Sequence, residues 1–252
     1  MVLMPKSGFF SHGIQIRVGR WRSPWACCVG MPDPTYVKEA FARIADRYVF
    51  TNHVLSFGVD VWWRWRVTRR VRKLKPTRVL DVASGTGDLA LSIQDALPQT
   101  EVVATDFCAE MLEHASDRGV RKTLVADALK LPFADADFDV VTVAFGLRNM
   151  GDYVLALKEM RRVLKPGGQL FILDFSLPSG ILRGPYRLYL HHVLPKLAGF
   201  LTKQKDAYEY LGGSIEQFPA GETMISLLHD TGFDTASAAP MTFGVVTVYQ
   251  AG

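Results

Sequence analysis

Two periods of hydrophobicity alternate along this chain. Short, mostly apolar runs rich in β-branched residues occur at Val79–Ala83, at Glu101–Thr105, in a segment ending Val125-Ala126-Asp127-Ala128, at Val140–Ala144 and at Gln169–Phe175. Runs of that length, bounded by Gly, Pro or Asp, predict strands buried in a parallel sheet. Between them the apolar positions recur every three or four residues, the spacing of an amphipathic helix. From Thr35, Val37, Ala40, Phe41, Ile44 and Ala45 share one face, while Lys38, Glu39, Arg43 and Asp46 share the other. A second helix is predicted over Val61–Val71, carrying Trp62, Trp63 and Trp65. A third runs over Asp152–Val163 with Leu155, Leu157, Met160 and Val163 on its buried side, and Lys165-Pro166-Gly167-Gly168 ends it. A helix from Gly221 to Asp230 and strands at Phe233–Ala238 and Phe243–Tyr249 complete the pattern. Strands and helices in this order predict an α/β fold: a doubly wound, mostly parallel seven-stranded sheet with an amino-terminal helical region.

Two segments stand outside that pattern. Met1–Gly30 carries Lys6, Arg17, Arg20 and Arg22, no acid and no periodicity. It is expected to be a disordered or loosely attached extension, residues 1–33, ahead of the domain at 34–252. A start site extended upstream of Met31 explains it more simply than an organellar presequence, which wants a cleaner amphipathic face. The other is an insertion before the sixth strand, about residues 181–220. Its aromatic, apolar stretch Arg183–Leu201 is interrupted by Pro195 and by charge, and it reads either as a lid or as ordinary core helix.

Composition narrows the class without naming it. A chain of 252 residues with 48% apolar content can bury one sizeable core. No apolar run reaches the about 18 residues of a membrane span. The net charge of +4 permits anionic partners and proves none. Cys27, Cys28 and Cys108 have neither metal spacing nor a paired framework, so no metal site is expected and the reducing cytoplasm fits. Between Arg64 and Arg78 stand eight basic residues and no acid. That cluster suits lipid headgroups or phosphates, and equally the solvated last turns of a helix.

The candidate chemistry lies where the first strand breaks into Asp81-Val82-Ala83-Ser84-Gly85-Thr86-Gly87-Asp88. Gly85 and Gly87 let the backbone approach a ligand without a Cβ in the way, and Thr86 and the amides opening the next helix are free donors. A dinucleotide fingerprint wants a third glycine, but Ala90 stands there, and Asp88 puts a negative charge where a pyrophosphate would lie. The second strand ends in Asp106, about 20 residues on, where an acid holds both hydroxyls of a ribose. Asp127 ends the third strand, placed to accept from an adenine amino group. Together these describe a site for S-adenosyl-L-methionine rather than for NAD. The plainer alternative is that Asp106 and Asp127 only cap the helices after their strands.

Four blocks of sequence carry a family resemblance. They are Tyr48–Trp63, Val79–Leu89, Asp139–Gly168 with its Phe145-Gly146-Leu147-Arg148-Asn149, and Tyr208-Glu209-Tyr210-Leu211 through Ser214-Ile215 and Phe218-Pro219. In these the chain resembles the ubiquinone/menaquinone biosynthesis C-methyltransferases, from about Pro34 to its carboxyl end. The resemblance implies the class I S-adenosylmethionine-dependent methyltransferase fold, which is Rossmann-like. It implies cofactor contacts at Thr86, Asp106, Asp127 and Ala128, and at Ala144 through its backbone alone, where some members have serine. With Asp81, Gly85 and Gly87 of the turn these are the candidate cofactor residues. Two positions depart from the family pattern: Val49 stands where an acid is usual, and Asp60 where His or Gln is frequent.

The reaction so implied is methyl transfer to a ring carbon of a polyprenylated hydroquinone, demethylmenaquinol or a methoxy-polyprenyl-benzoquinol. A hydroquinone carbon becomes nucleophilic when its hydroxyl loses a proton, which calls for a base or a cationic partner for the phenolate. Arg148 is the candidate partner, with His53, Asp60 and Tyr210 behind it. The competing reading of Arg148 is an ion pair that steadies its loop. A greasy acceptor implies work at a membrane surface, peripheral rather than spanning; two-fold association is open, and no motif bears on it. The alternatives are a methyltransferase acting on another small molecule, a nucleic-acid methyltransferase, for which no Asn/Asp-Pro-Pro-Tyr segment or Pro-Cys nucleophile is found, a dehydrogenase, and a non-catalytic homologue. No nucleic acid is expected as a partner.

Overall fold

The computed structural model describes residues 58–194 and 212–252. The helix predicted from Thr35, the boundary at residue 33, and the candidates His53 and Tyr210 lie outside the described residues.

The predicted alternation of strand and helix is what forms. Helix α1 spans Val59–Leu74, β1 Arg78–Val82, α2 Asp88–Ala96, β2 Glu101–Asp106, α3 Ala109–Asp117, β3 Thr123–Val125 and β4 Phe138–Ala144. After these come α4 at Tyr153–Val163, β5 at Leu164–Phe175, α5 at Arg183–Leu188, α6 at Glu222–Asp230, β6 at Ala236–Met241 and β7 at Val246–Ala251. The seven strands lie in the order β3-β2-β1-β4-β5-β7-β6. The first five are parallel, and β7 pairs antiparallel with both β5 and β6. The order reverses between β1 and β4, the place where open α/β sheets bind ligands at the strands' carboxyl ends.

The period of two along the strands sorts the core into two layers. In β5, Phe171 and Leu173 turn to the face covered by Trp63, Val67 and Val71 of α1 and by Leu89, Ala90 and Ile93 of α2. Leu170 and Ile172 turn to the opposite face, against Leu157 and Met160 of α4 and Met224 and Leu228 of α6. Each fully buried Leu, Ile or Phe contributes about 1.5–3 kcal/mol relative to exposure. Helix ends obey local chemistry as well: the Asp152 carboxylate caps α4 by accepting from the Leu155 amide at 2.9 Å.

Three boundaries differ from expectation. The turn Lys165-Pro166-Gly167-Gly168 does not follow the helix as a separate stop, because pairing with β4 already begins at Leu164. Those residues bulge out of the ladder, which resumes with Gln169 opposite Val140. The sixth strand starts at Ala236, three residues beyond the predicted Phe233, whose side chain is buried in the α4–α6 layer instead. Phe243, expected in the last strand, sits in the short 3-10 turn Thr242–Gly244 that joins β6 to β7. A single apolar residue beside a turn cannot say whether it is strand or core, and here packing decided.

Of the insertion, the described part makes a 3-10 turn at Gly180–Leu182, then α5, then a π-helical turn at Tyr189–Val193. Leu190 and Leu194 pack on Ile215 in a small core of their own. No helix among the described residues is long and apolar enough to cross a membrane.

Candidate active site

A cavity of about 240 Å³ opens where β1, β2, β3 and β4 end. The turn after β1 is pinned to its neighbour strand, with the Ser84 amide donating to the Thr105 carbonyl at 2.9 Å. Ala83 leaves β1 with φ +51°, and Phe145 leaves β4 with φ +59°. Non-glycine residues in the left-handed region are strained, and such strain gathers at ligand sites. Gly146 fits between them because a Cβ there would stand 2.6 Å from the Ala83 Cβ. Packing also requires glycine at 87, since a Cβ on it would meet the Val120 side chain at 2.6 Å.

Two buried aspartates face the cavity. Asp106 accepts from the Gly85 amide at 2.8 Å through Oδ2 and from the Cys108 amide at 3.0 Å through Oδ1. Burial raises its pKa, and these amides oppose the rise. Asp81 accepts from the Ser84 and Thr142 hydroxyls, each at 2.6 Å. Burial nevertheless pushes its carboxyl up to about 6. Asp127 accepts from the Leu129 amide at 2.9 Å, and Thr86 donates to Asp88 at 3.3 Å. Asp81, Gly85, Thr86, Asp106, Asp127, Ala128 and Ala144 all line the cavity. Gly87, Asp60 and Arg148 do not.

Among the described residues three arginines stand at the site: Arg118 donates to the Thr86 carbonyl and to Asp88, each at 2.7 Å, and Arg64 and Arg148 are held in buried ion pairs. Arg64 lines the cavity from α1, donates to Asp60 at 2.5 Å, stands 3.7 Å from Asp88 and lies over the Phe145 ring. Among the described residues it is the one cation that lines the cavity, together with Asp81, Asp88, Asp106 and Asp127. Only its place in a basic run hinted at it in the sequence; that it turns inward is a matter of helix phase. Arg148 donates through Nη1 to Asp174 at 2.6 Å and to the Phe145 carbonyl at 2.7 Å. Its Nε and the Asp174 Oδ2 are buried with no hydrogen-bond partner among the described residues. Burial raises the Asp174 pKa, and the Arg148 charge opposes it.

An aromatic wall adjoins the cavity. Phe145 lies 4.8 Å from Phe175 and 6.0 Å from Trp63, ring centre to ring centre, and Trp63 meets Phe175 edge-on. Phe107, Met111 and Leu129, which the sequence did not single out, line the cavity near Asp106 and Asp127. Among the described residues no group of three His, Cys, Asp or Glu could hold a metal ion.

Residues 31–252 match the ubiE/COQ5 methyltransferase family. The chain belongs to that family. A demethylmenaquinone methyltransferase of Deinococcus radiodurans is 44% identical over 219 residues, 84% of this chain and 90% of the relative. One of Thermus thermophilus is 44% identical over 83% of this chain and 97% of its own length. A ubiquinone/menaquinone biosynthesis C-methyltransferase of Bdellovibrio bacteriovorus is 38% identical over 87% of this chain and 96% of its own. In fold, a solved methyltransferase of Thermotoga maritima aligns at TM-score 0.60 with 19% identity, covering 84% of this chain and 97% of that one. The protein is thus an S-adenosyl-L-methionine-dependent methyltransferase.

The residues present fit that cofactor. Its sulfonium and ammonium outweigh its one carboxylate; Asp88 is paired with Arg118 at 2.7 Å and Arg64 with Asp60, which among the described residues leaves Asp81, Asp106 and Asp127 as the lining acids without a paired cation. Gly85 lines the cavity and the position of its absent Cβ is open space, so the backbone of the turn is left accessible to a ligand.

Proposed function

We propose that this methyltransferase transfers a methyl group from S-adenosyl-L-methionine to a ring carbon of a polyprenylated hydroquinone. The acceptors are demethylmenaquinol and, as a second substrate, 2-methoxy-6-polyprenyl-benzoquinol. The names of its relatives support the substrate class. The observation that carries the reading is Phe145, which lines the cavity and joins Trp63 and Phe175 in a wall on which a planar ring can stack.

When bound, the cofactor supplies an electrophilic methyl on sulfur. The chain's part is to hold and align. Asp106 takes the ribose hydroxyls, and Asp127 with the Ala128 backbone takes the adenine edge between Phe107, Met111 and Leu129. Asp81 takes the ammonium, Arg64 the carboxylate, and Gly85 and Thr86 the turn's polar contacts. Most of the acceleration comes from aligning ring carbon, methyl and sulfur in a water-poor pocket. Arg148 is the cation for the phenolate oxygen; what supports the role is its place directly behind Phe145, a lining residue whose carbonyl it bonds at 2.7 Å. His53, Asp60 and Tyr210 are lesser candidates. The prenyl tail implies work at a membrane surface.

The test is methyl transfer from labelled S-adenosylmethionine to reduced demethylmenaquinone and to benzoquinol analogues in detergent. Label in the naphthoquinone alone makes this a menaquinone enzyme, and label in both makes it dual. No label, with cofactor bound by calorimetry, overturns the acceptor class. Full turnover in Arg148→Ala, alongside lost cofactor binding in Asp106→Ala, overturns the role of Arg148.

A further inference from the structure

Helix α1 is built differently on its two faces. Inward it buries Trp63, Val67 and Val71. Outward, Trp62 and Trp65 are 44% and 47% exposed, one turn apart, and the same stripe runs on through Arg69, Arg72 and Lys73. The helix's one acid, Asp60, is buried against Arg64. Among the described residues none of those three outward cations pairs with an acid; Arg69 instead lies over the Trp65 ring, as Arg66 lies over Trp62.

A second apolar residue stands on an element bonded to this helix. Phe243, 85% exposed, sits in the β6–β7 turn with φ +57°, next to Thr242 with φ +48°. Two adjacent non-glycine residues in the left-handed region hold an aromatic ring out in water, which folding alone does not reward. The turn is tied to α1 by the Trp63 indole, which donates to the Thr242 hydroxyl at 2.8 Å. Because β7 begins at Val246 opposite Phe175, the last residue of β5, the turn lies at the sheet edge where the cofactor cavity opens.

We propose that the outer face of α1 and the β6–β7 turn form the surface by which this enzyme docks on an anionic lipid bilayer, bringing the cavity's edge to the membrane. Tryptophans beside arginines suit the headgroup layer, where the ring is half-desolvated and the cation meets phosphate. The unpaired cations match a negative surface. An exposed Phe on a strained turn serves insertion into acyl chains; its other use, stacking on an unpaired base beside the cations, is the outcome that the RNA arm of the test separates. The proposal rests on the reading that the acceptor carries a prenyl tail.

The test uses the full chain, phosphatidylcholine vesicles with and without phosphatidylglycerol, and co-sedimentation. The variants are Trp62→Ser with Trp65→Ser, Arg69→Glu with Lys73→Glu, and Phe243→Gly. Wild type is expected to sediment with the anionic vesicles only, and each variant to partition about tenfold less. Cofactor binding by calorimetry and turnover of detergent-dissolved hydroquinone stay at the wild-type level. Phe243→Gly relieves strain, so it remains informative if the helix variants fold poorly. Wild type left in the supernatant overturns the proposal. Variants that sediment like wild type place the docking surface elsewhere and overturn it too. So does tighter binding to single-stranded RNA than to vesicles, lost in the arginine variant. Intact vesicle binding without methyl transfer to any hydroquinone would instead remove the acceptor reading and leave the docking face standing.

Discussion

The two halves of the sheet's carboxyl edge solve different problems. At the ends of β1, β2 and β3 the polar groups are aspartates whose partners are backbone amides and hydroxyls: Asp106 with Gly85 and Cys108, Asp81 with Ser84 and Thr142. At the ends of β4 and β5 the surroundings are aromatic, and a buried charge pair, Arg148–Asp174, is nearly shut off from water. The first half keeps lone pairs available toward a cavity, as recognition of a polar cofactor requires. The second keeps water away and presents flat apolar surface, as an aromatic acceptor would require. One edge of one sheet thus carries an acidic, hydrogen-bonded half and an aromatic half, with Phe145 lining the cavity and joining the aromatic wall.

The sharpest way to break this contrast is to uncouple the buried pair. Arg148→Ala leaves the buried Asp174 carboxyl without its cation, and is expected to lower stability by about 3–5 kcal/mol in denaturant melts. Arg148→Ala with Asp174→Ala together should recover much of that loss. A single variant as stable as wild type would show that the pair does not hold the aromatic half together. On the polar half, Asp106→Ala removes a charge-assisted contact and strands two amides. Cofactor affinity should fall about 100-fold, roughly 3 kcal/mol, in calorimetry.

Asp81 gives the contrast a pH dependence. Its folded pKa, about 6, lies above that of an unfolded aspartate. In the apoprotein this group therefore adds stability fully only below about pH 4 and loses it as pH rises through about 6. A cofactor ammonium reverses the preference by favouring the carboxylate. Cofactor affinity is expected to weaken below pH 6, approaching tenfold per pH unit, and Asp81→Asn should flatten that profile.

Arg64→Gln tests whether the arginine that lines the cavity reads the cofactor's carboxylate. S-adenosylhomocysteine should bind about 10-fold more weakly, while methylthioadenosine, which lacks that carboxylate, binds as before; equal losses for both would mean that Arg64 only supports the fold. The smallest effect expected is a gain. Phe243→Gly removes a left-handed phenylalanine and should raise stability by about 1 kcal/mol in thermal melts.

Legibility followed the range of the interactions. The parallel strands, the glycine turn and the acids at Asp81, Asp106 and Asp127 were readable because each depends on a local pattern: a buried run, a left-handed glycine, a strand end. Phe233 and Phe243 misled, because an apolar residue near a turn satisfies strand, core and exposed loop alike until its neighbours arrive. Arg64 was hidden in a run of cations, and nothing linear distinguishes the one that turns inward from those that face water.

What the sequence determined by itself was the fold class, the family and the cofactor. Hydrophobic period, glycine placement and strand-end acids are written in consecutive residues and survive any detail of packing. Only the tertiary structure decided which charges meet. Asp60 with Arg64 is a one-turn helical pair, but its turning toward Asp88 and Phe145 depends on how α1 lies on the sheet. Arg148 with Asp174 joins residues 26 positions apart. Electrostatic contacts depend on distance and desolvation in space, and the chain specifies those only once the two layers of its core have closed.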